Sequence, residues 1–158
     1  MPISLQKFRE VLFHLLYSSD FGGGVEEAVP LIMQQLVVTK SAVRKAQEVL
    51  SEVLSKQERI DGLIKEHAKE YDFERIPRIE RNILRLAIYE MLFSTTAPPK
   101  VAISEAIRLA RKFATPEAAT FVNAVLDAIY QPRGHCLPIE VKDVSSASST
   151  VSSTVPTR

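Results

Sequence analysis

Hydrophobic residues recur every three or four positions along most of the chain, which is the spacing of one face of an α-helix. In the first such segment Leu5, Phe8 and Leu12 fall on one stripe, whereas Lys7 and Arg9 lie off it. No segment alternates hydrophobic and polar residues in the manner of a half-buried strand. The pattern therefore predicts an all-α fold of about seven helices, at about 4–19, 26–38, 41–56, 58–69, 77–93, 101–113 and 115–130.

Glycine, proline and capping residues mark the ends of several predicted helices. Three consecutive glycines at 22–24 favour a flexible turn after the first helix. Thr115, Pro116 and Glu117 are typical of a helix start: an N-cap hydroxyl, a proline at the first helical position, and an acid near the positive end of the helix dipole. Pro77 is interpreted in the same way, as the first residue of the fifth helix.

The fifth predicted helix is hydrophobic on most of its sides. Ile79, Ile83, Leu86, Ile88 and Met91 are spread around its circumference and leave little polar surface. A helix with this pattern is usually surrounded by other helices. We therefore expect it to lie at the centre of the bundle.

The composition separates a core-forming segment from a polar tail. A chain of 158 residues, of which 46% are hydrophobic, is long enough to bury one full core. By contrast, nine of the fourteen residues at 145–158 are Ser or Thr, and Pro132 and Pro138 lie upstream. Such a segment lacks the hydrophobic residues that packing requires. We expect a helical domain at 1–130 and a disordered Ser/Thr/Pro-rich tail at 131–158.

The residue types that catalysis and metal binding require are sparse and scattered. His14, His67 and His135 are far apart, and the single cysteine, Cys136, lies in the predicted tail. We therefore expect no enzyme activity, no metal and no cofactor. With one cysteine no disulfide forms within the chain, which fits a reducing compartment. Because the chain shows no signal-peptide pattern and no hydrophobic run of about 18 residues, we expect a soluble cytoplasmic protein.

Positive charge is concentrated in one part of a nearly neutral chain. Residues 75–112 contain eight Lys/Arg and three Asp/Glu, although the net charge of the whole chain is +1. Such a sector can attract a polyanion. It can also be a solvated surface balanced by carboxylates from other helices. The second interpretation is favoured for Arg108, Arg111 and Lys112 of the sixth helix.

Three arginines of the fifth helix lie on one face. Arg78, Arg81 and Arg85 are spaced by three and four residues, so their side chains project within a narrow arc. Guanidinium groups bind phosphates and stack on bases, which suits RNA, but the row can equally pair with carboxylates. Tyr17 and Phe121 are aromatic candidates for base stacking, although single aromatic residues more often belong to the core.

Three blocks of sequence occur in a distinctive order. They are IERNILRLAIYE at 79–90, KVAISEA at 100–106 and FVNAVLD at 121–127, and REVLFHLLY at 9–17 adds a further cue. In this order they resemble the NusB family of bacterial transcription antitermination factors, over about residues 5–129. The resemblance implies a fold of two helical bundles packed perpendicular to each other.

The resemblance also implies a function and partners. NusB-family proteins bind boxA-type single-stranded RNA jointly with the ribosomal protein NusE and join an RNA polymerase antitermination complex, which suppresses premature termination of ribosomal RNA transcription. The basic pattern of the family's first helix matches this sequence only in part, because Leu5 and Gln6 stand where relatives often have arginines. The expected RNA-binding residues are Lys7, Arg9, Arg78, Arg81 and Phe121, and the expected partner-binding residues are Tyr17, Glu80, Arg85 and Glu117.

Two other interpretations stay open. The thinned basic stretch also fits a helical protein-interaction adaptor that binds NusE without binding RNA itself. NusB-like domains also precede RNA cytosine methyltransferase domains, which would require this chain to be part of a longer or split protein. A homodimer that covers the RNA-binding surface is a further hypothesis.

Overall fold

In a computed structural model, the residues that the structure describes are 3–22, 24–94 and 97–133. They form seven α-helices and one 3₁₀ turn, and these ranges contain no strand. The predicted all-α fold of seven helices is therefore confirmed. The helices are α1 (Leu5–Asp20), α2 (Val25–Leu36), α3 (Lys40–Ser55), α4 (Gln57–His67), α5 (Arg78–Leu92), α6 (Pro99–Phe113) and α7 (Pro116–Arg133), with the 3₁₀ turn (Phe73–Arg75) between α4 and α5.

Side-chain hydroxyls cap three helix starts. The Oγ of Ser4 accepts a hydrogen bond from the Lys7 backbone N–H at 3.1 Å. Thr39 caps α3 in the same manner. The Thr115 hydroxyl accepts from the backbone N–H of Ala118 at 2.9 Å, which agrees with the start predicted for α7. These bonds satisfy backbone donors that have no partner inside the helix.

The helix boundaries agree with the prediction to within three residues, and two of the differences involve Pro77 and Pro132. Pro77 is the N-cap of α5, with extended ψ of 144°, so the helix begins one residue later than expected. α7 continues to Arg133, three residues beyond its predicted end at 130. Ile129 is fully buried near the end of α7, and this burial holds the last turns against the bundle. The rest of the predicted tail, 134–158, lies outside the described residues.

α5 is the central helix, as its sequence predicted. Every residue from 81 to 91 is buried, and α5 packs against α1, α3, α4, α6 and α7. Arg9, early in α1, bonds Glu90 near the end of α5, whereas Asp20, at the end of α1, bonds Arg81 near the start of α5. The two helices therefore run antiparallel. Their shared contact brings polar as well as hydrophobic side chains into the interior.

α2 ends in a conformation that its residue does not favour. Val37 follows α2 with φ 54° and ψ 59°, the left-handed region, and it is 86% exposed. A β-branched residue is strained in that region, whereas glycine is not. Because Val37 is almost wholly exposed, its side chain contributes little packing that could offset the strain.

We expect Val37→Gly to raise the free energy of unfolding by about 1 kcal/mol, since the strain of a left-handed residue is removed. Urea denaturation followed by circular dichroism measures the change. Val101→Gly, at a partly exposed helical position of α6, is the matched control and should lower stability by about 1 kcal/mol. A Val37→Gly protein less stable than the parent would contradict the strain argument.

Candidate functional site

Two clusters of charged side chains connect α1 to its neighbours. The first, here the Asp20 cluster, lies where α1 ends and α5 begins, and the second, the Glu10 cluster, lies toward the opposite end of α1. The Asp20 cluster consists of Asp20, Asp61, Arg78, Arg81, Asn82 and Arg85. The Glu10 cluster consists of Arg9, Glu10, Glu90, Glu105, Arg108 and Lys112.

Arg85 is the best-bonded member of the Asp20 cluster. Its Nε and Nη2 donate to the two carboxylate oxygens of Asp61 at 2.8 and 2.9 Å, a bidentate pair. Its Nη1 donates to the amide oxygen of Asn82 at 3.1 Å and lies 3.3 Å from Asp20. The guanidinium of Arg81 and the amide nitrogen of Asn82 also donate to Asp20, at 3.3 and 3.2 Å.

The Asp20 cluster carries an excess of positive charge. Arg78, Arg81 and Arg85 contribute three positive charges, against one negative charge each from Asp20 and Asp61, so one positive charge remains. Burial would raise the pKa of Asp20, but the charge of Arg85 and the hydrogen bond from Asn82 outweigh burial and lower it. The pKa of Arg85 is raised by its two aspartates despite burial, so this arginine stays charged. The Nε of Arg81 is buried without an acceptor among the described residues.

The Glu10 cluster is electrically balanced, with three cations and three carboxylates. The Nε of Arg9 donates to both oxygens of Glu90 at 3.0 Å. Arg108 and Lys112 bond Glu10 at 2.9 and 3.0 Å. Burial opposes ionisation of Glu10, yet these two cations lower its pKa.

Glu90 behaves differently from Glu10. Burial raises the pKa of Glu90 although the Arg9 charge acts in the opposite direction, and the nearby Glu105 charge adds to the rise. Both carboxylates are buried, so the contrast follows from their partners: two cations bond Glu10, whereas Glu90 is bonded by Arg9 alone and lies near the Glu105 charge.

Aromatic side chains lie beside the charged clusters. Phe13, Tyr17 and Phe21 follow one another along α1 and the residue after it, with centroid distances of 6.2 and 4.8 Å. The guanidinium of Arg78 lies over the Phe21 ring, 4.4 Å from its centroid. Elsewhere, Phe121 of α7 contacts the exposed Tyr71 edge to face at 4.9 Å.

The expected RNA-binding residues differ in their accessibility. Lys7 and Phe121 are half-buried, and the side chain of Arg78 is 46% exposed. Arg9 and Arg81 are buried and ion-paired. Five of the basic residues at 75–112 belong to the two clusters and pair with carboxylates. This agrees with the interpretation that carboxylates from other helices balance the positive charge. The five are Arg78, Arg81, Arg85, Arg108 and Lys112.

The expected partner-binding residues lie on three helices. Tyr17 is half-buried at the end of α1, and Glu80 is half-buried in the first turn of α5, where burial raises its pKa. Arg85 is buried within the Asp20 cluster. Glu117 is exposed in the first turn of α7. Tyr17 lies near the end of α1, and Glu80 and Arg85 lie in the first half of α5, whereas Lys7 and Arg9 lie near the start of α1.

Sequence reasoning missed the carboxylates that organise both clusters. Asp20, Asp61 and Glu10 come from helices remote in sequence from the arginines that they bind, so no local spacing indicates them. Phe21 was also missed, because it follows α1 and precedes the glycines as an isolated aromatic residue. Its one sequence signal is helical spacing from Tyr17, four residues earlier.

Neither a membrane-spanning helix nor a metal site is found in the part of the chain that the structure describes. No helix there is long and apolar enough to cross a membrane. No group of three or more His, Cys, Asp or Glu side chains is arranged to hold a metal ion in those residues.

Comparisons with known proteins give a consistent result. The NusB family model matches residues 6–131. Transcription antitermination protein NusB of Heliobacterium modesticaldum is 38% identical over 126 residues, which span 78% of this chain but 61% of that protein. The NusB protein of Chlamydia pneumoniae is 34% identical over 136 residues, covering 82% of this chain and 85% of that protein. A crystal structure of antitermination factors NusB and NusE in complex with dsRNA matches with a TM-score of 0.68 at 29% identity, covering 80% and 96% of the two chains.

The lowered pKa of Asp20 makes a pH-dependent contribution to stability. The contribution is present above the pKa of an unfolded aspartate, about 3.9, and is lost as the pH falls through the lower folded pKa. We expect Asp20→Asn to reduce stability at neutral pH and to lack this acid-induced loss. Urea titrations from pH 7 to about pH 3 measure both effects. The control is Asp72→Asn, at an exposed position with no ion pair among the described residues, and an identical pH profile in both variants would contradict the role of Asp20.

Arg9 and Lys7 lie close in sequence but should respond differently to substitution. Arg9→Met leaves the buried Glu90 carboxylate without the Arg9 Nε–H that bonds both of its oxygens, so we expect a loss of about 3 kcal/mol in the free energy of unfolding. Lys7→Met removes no ion pair and should change stability by less than about 0.5 kcal/mol. A double variant, Arg9→Met with Glu90→Met, should recover much of the loss. Equal losses of stability in Arg9→Met and Lys7→Met would show that the buried Arg9–Glu90 pair contributes little.

Proposed function

Because the chain belongs to the NusB family, we propose that it is a transcription antitermination adaptor that binds boxA-type single-stranded RNA jointly with NusE. In this role it joins the RNA polymerase antitermination complex in the cytoplasm and suppresses premature termination of ribosomal RNA transcription. The observation that carries the proposal is the family match over residues 6–131. Similarity to a structure of NusB and NusE with dsRNA supports joint recognition of RNA. The role requires no catalysis and no cofactor.

Direct RNA contacts are assigned to the accessible candidates. Lys7 forms no ion pair with another described residue, so its ammonium group is available to a phosphate. Arg78 offers an exposed guanidinium, and Phe121 offers a partly exposed ring. Arg9 and Arg81 act indirectly in this proposal, because contact with RNA would require them to leave buried carboxylates. They hold α1 and α5 in the arrangement that presents the other three side chains.

The partner surface is assigned to the end of α1 and the starts of α5 and α7. Tyr17 and Glu80 are partly exposed and Glu117 is exposed, so in this proposal their polar groups bond a basic ribosomal protein. Glu80 is costly to keep ionised in its half-buried position, and a cation from the partner would lower that cost. Arg85 supports this surface from within the Asp20 cluster.

A second candidate is a protein-interaction adaptor that binds NusE without binding RNA itself. Its support is the internal pairing of Arg9, Arg81 and Arg85, which removes three arginines from the surface that a polyanion meets. The two candidates differ in one property, namely whether RNA binds more tightly to NusE when this protein is present than when it is absent.

A titration of labelled boxA-type RNA with the full chain, alone and with NusE, tests the proposal. Tighter binding of RNA to the pair than to either protein supports the antitermination adaptor. A duplex RNA of the same sequence is titrated in parallel to establish whether single-stranded or double-stranded RNA binds more tightly. Binding of NusE with no gain in RNA affinity favours the second candidate, and absence of both interactions contradicts both.

Neutralising Lys7 should weaken RNA binding through the loss of one phosphate contact. We expect Lys7→Gln to reduce the slope of log K against log salt concentration by about 0.7, the value for one phosphate of a single strand. Fluorescence anisotropy at several salt concentrations, with NusE present, measures the slope. Lys45→Gln, at an exposed position of α3, is the charge-matched control. The same slope for parent, Lys7→Gln and control proteins would exclude Lys7 as a phosphate contact.

A further inference from the structure

An aromatic ring and a guanidinium form a stack on the surface where α1 ends. Phe21, the residue after α1, is 55% exposed although it is a large hydrophobic side chain. Arg78, in the first turn of α5, covers the ring with its guanidinium carbon 4.4 Å from the ring centroid. We call Phe21 and Arg78 the surface stack. Neither residue is needed to fill the hydrophobic core.

The position of Phe21 is fixed by contacts that lead back to the core. Tyr17 meets the Phe21 ring edge to face at 4.8 Å and an interplanar angle of 81°. Tyr17 in turn contacts Phe13, which is 3% exposed and packs against Phe113 at 5.3 Å. An exposed ring held by such a series of contacts has little rotamer freedom left to lose when a ligand binds.

The guanidinium of Arg78 is also held in place. Its Nε lies 3.6 Å from Asp20, the carboxylate that Arg81 and Arg85 share. The Arg78 side chain as a whole is 46% exposed, so donor groups and part of the planar surface stay accessible. The single excess positive charge of the Asp20 cluster therefore adjoins a planar, solvent-facing group. This combination suits an anionic ligand that also carries flat rings.

We propose that the surface stack binds one unpaired nucleobase of the RNA, with the base stacking on the Phe21–Arg78 layer and an adjacent phosphate paired with the guanidinium. Arginine planes and aromatic rings are the usual platforms for unstacked bases of single-stranded RNA. The inference rests on the proposed RNA-binding function and adds Phe21 to the residues that carry it. Phe21 contacts Tyr17 of the partner surface, so the base would lie at the border between RNA and NusE. It also gives Arg78 a role that lysine can fill only in part, since lysine keeps the charge but lacks the planar group.

Abasic RNA tests this assignment. A labelled boxA-type RNA and a set of copies, each lacking one base, are titrated with the full-length parent, Phe21→Leu and Arg78→Lys proteins in the presence of NusE. Phe21→Leu retains a hydrophobic side chain without the ring, and Arg78→Lys retains the charge without the plane. We expect Phe21→Leu to weaken binding of intact RNA about tenfold, as for one stacked base, and Arg78→Lys to weaken it less.

The decisive result is coupling between one base and the ring. In the parent protein, removal of one particular base should weaken binding, and that loss should disappear in Phe21→Leu. Arg111→Lys, at an exposed position of α6, is the matched control for Arg78→Lys and should leave affinity unchanged. Urea denaturation of each variant confirms that the fold is retained.

The other outcomes overturn the assignment in distinguishable ways. If the parent protein binds no RNA in the presence of NusE, both the proposed function and the role of the surface stack are contradicted. If the parent, Phe21→Leu and Arg78→Lys proteins bind RNA with equal affinity, the proposed function is retained and the surface stack is excluded as a base-binding site. Weaker NusE binding with unchanged RNA affinity in the NusE-saturated complex identifies the surface stack as a protein contact instead.

Discussion

The burial of α5 on every side is the constraint on which the rest of the structure depends. A helix surrounded by other helices cannot leave a charged side chain unpaired, because moving a lone charge out of water is expensive. Arg85 and Glu90 therefore take their partners from α4 and α1. The position of α1 follows from this requirement, since Arg9 near its start and Asp20 at its end must both face α5.

The helices could be predicted from sequence because their signals are local. The spacing of hydrophobic residues identified all seven, and the Thr115 cap marked the start of α7 correctly. Two of the boundary errors involve prolines. Pro77 serves as an N-cap rather than as a first helical residue, and α7 continues past Pro132, where tertiary packing near Ile129 outweighs the local preference of proline for a break.

The candidate site could be predicted only in part, because exposure is a property of the folded chain. Sequence spacing correctly placed Arg78, Arg81 and Arg85 on one helix, but it could not distinguish the exposed first arginine from the two buried ones. The two buried arginines are paired with Asp20 and Asp61, which reach the row from α1 and α4. Formal charge counts therefore overstate the positive potential that a ligand meets at this surface.

The attachment of α1 at both ends has a geometric consequence. Ion pairs near its start and at its end prevent it from sliding along α5 or turning about its own axis without breaking one set. Lys7 and Tyr17 are consequently held about 15 Å apart, the rise of ten helical residues. α1 therefore fixes the distance between these two candidate contact residues. A ligand that contacts both Lys7 and Tyr17 must therefore span this fixed distance, which adds a geometric condition to the chemical ones.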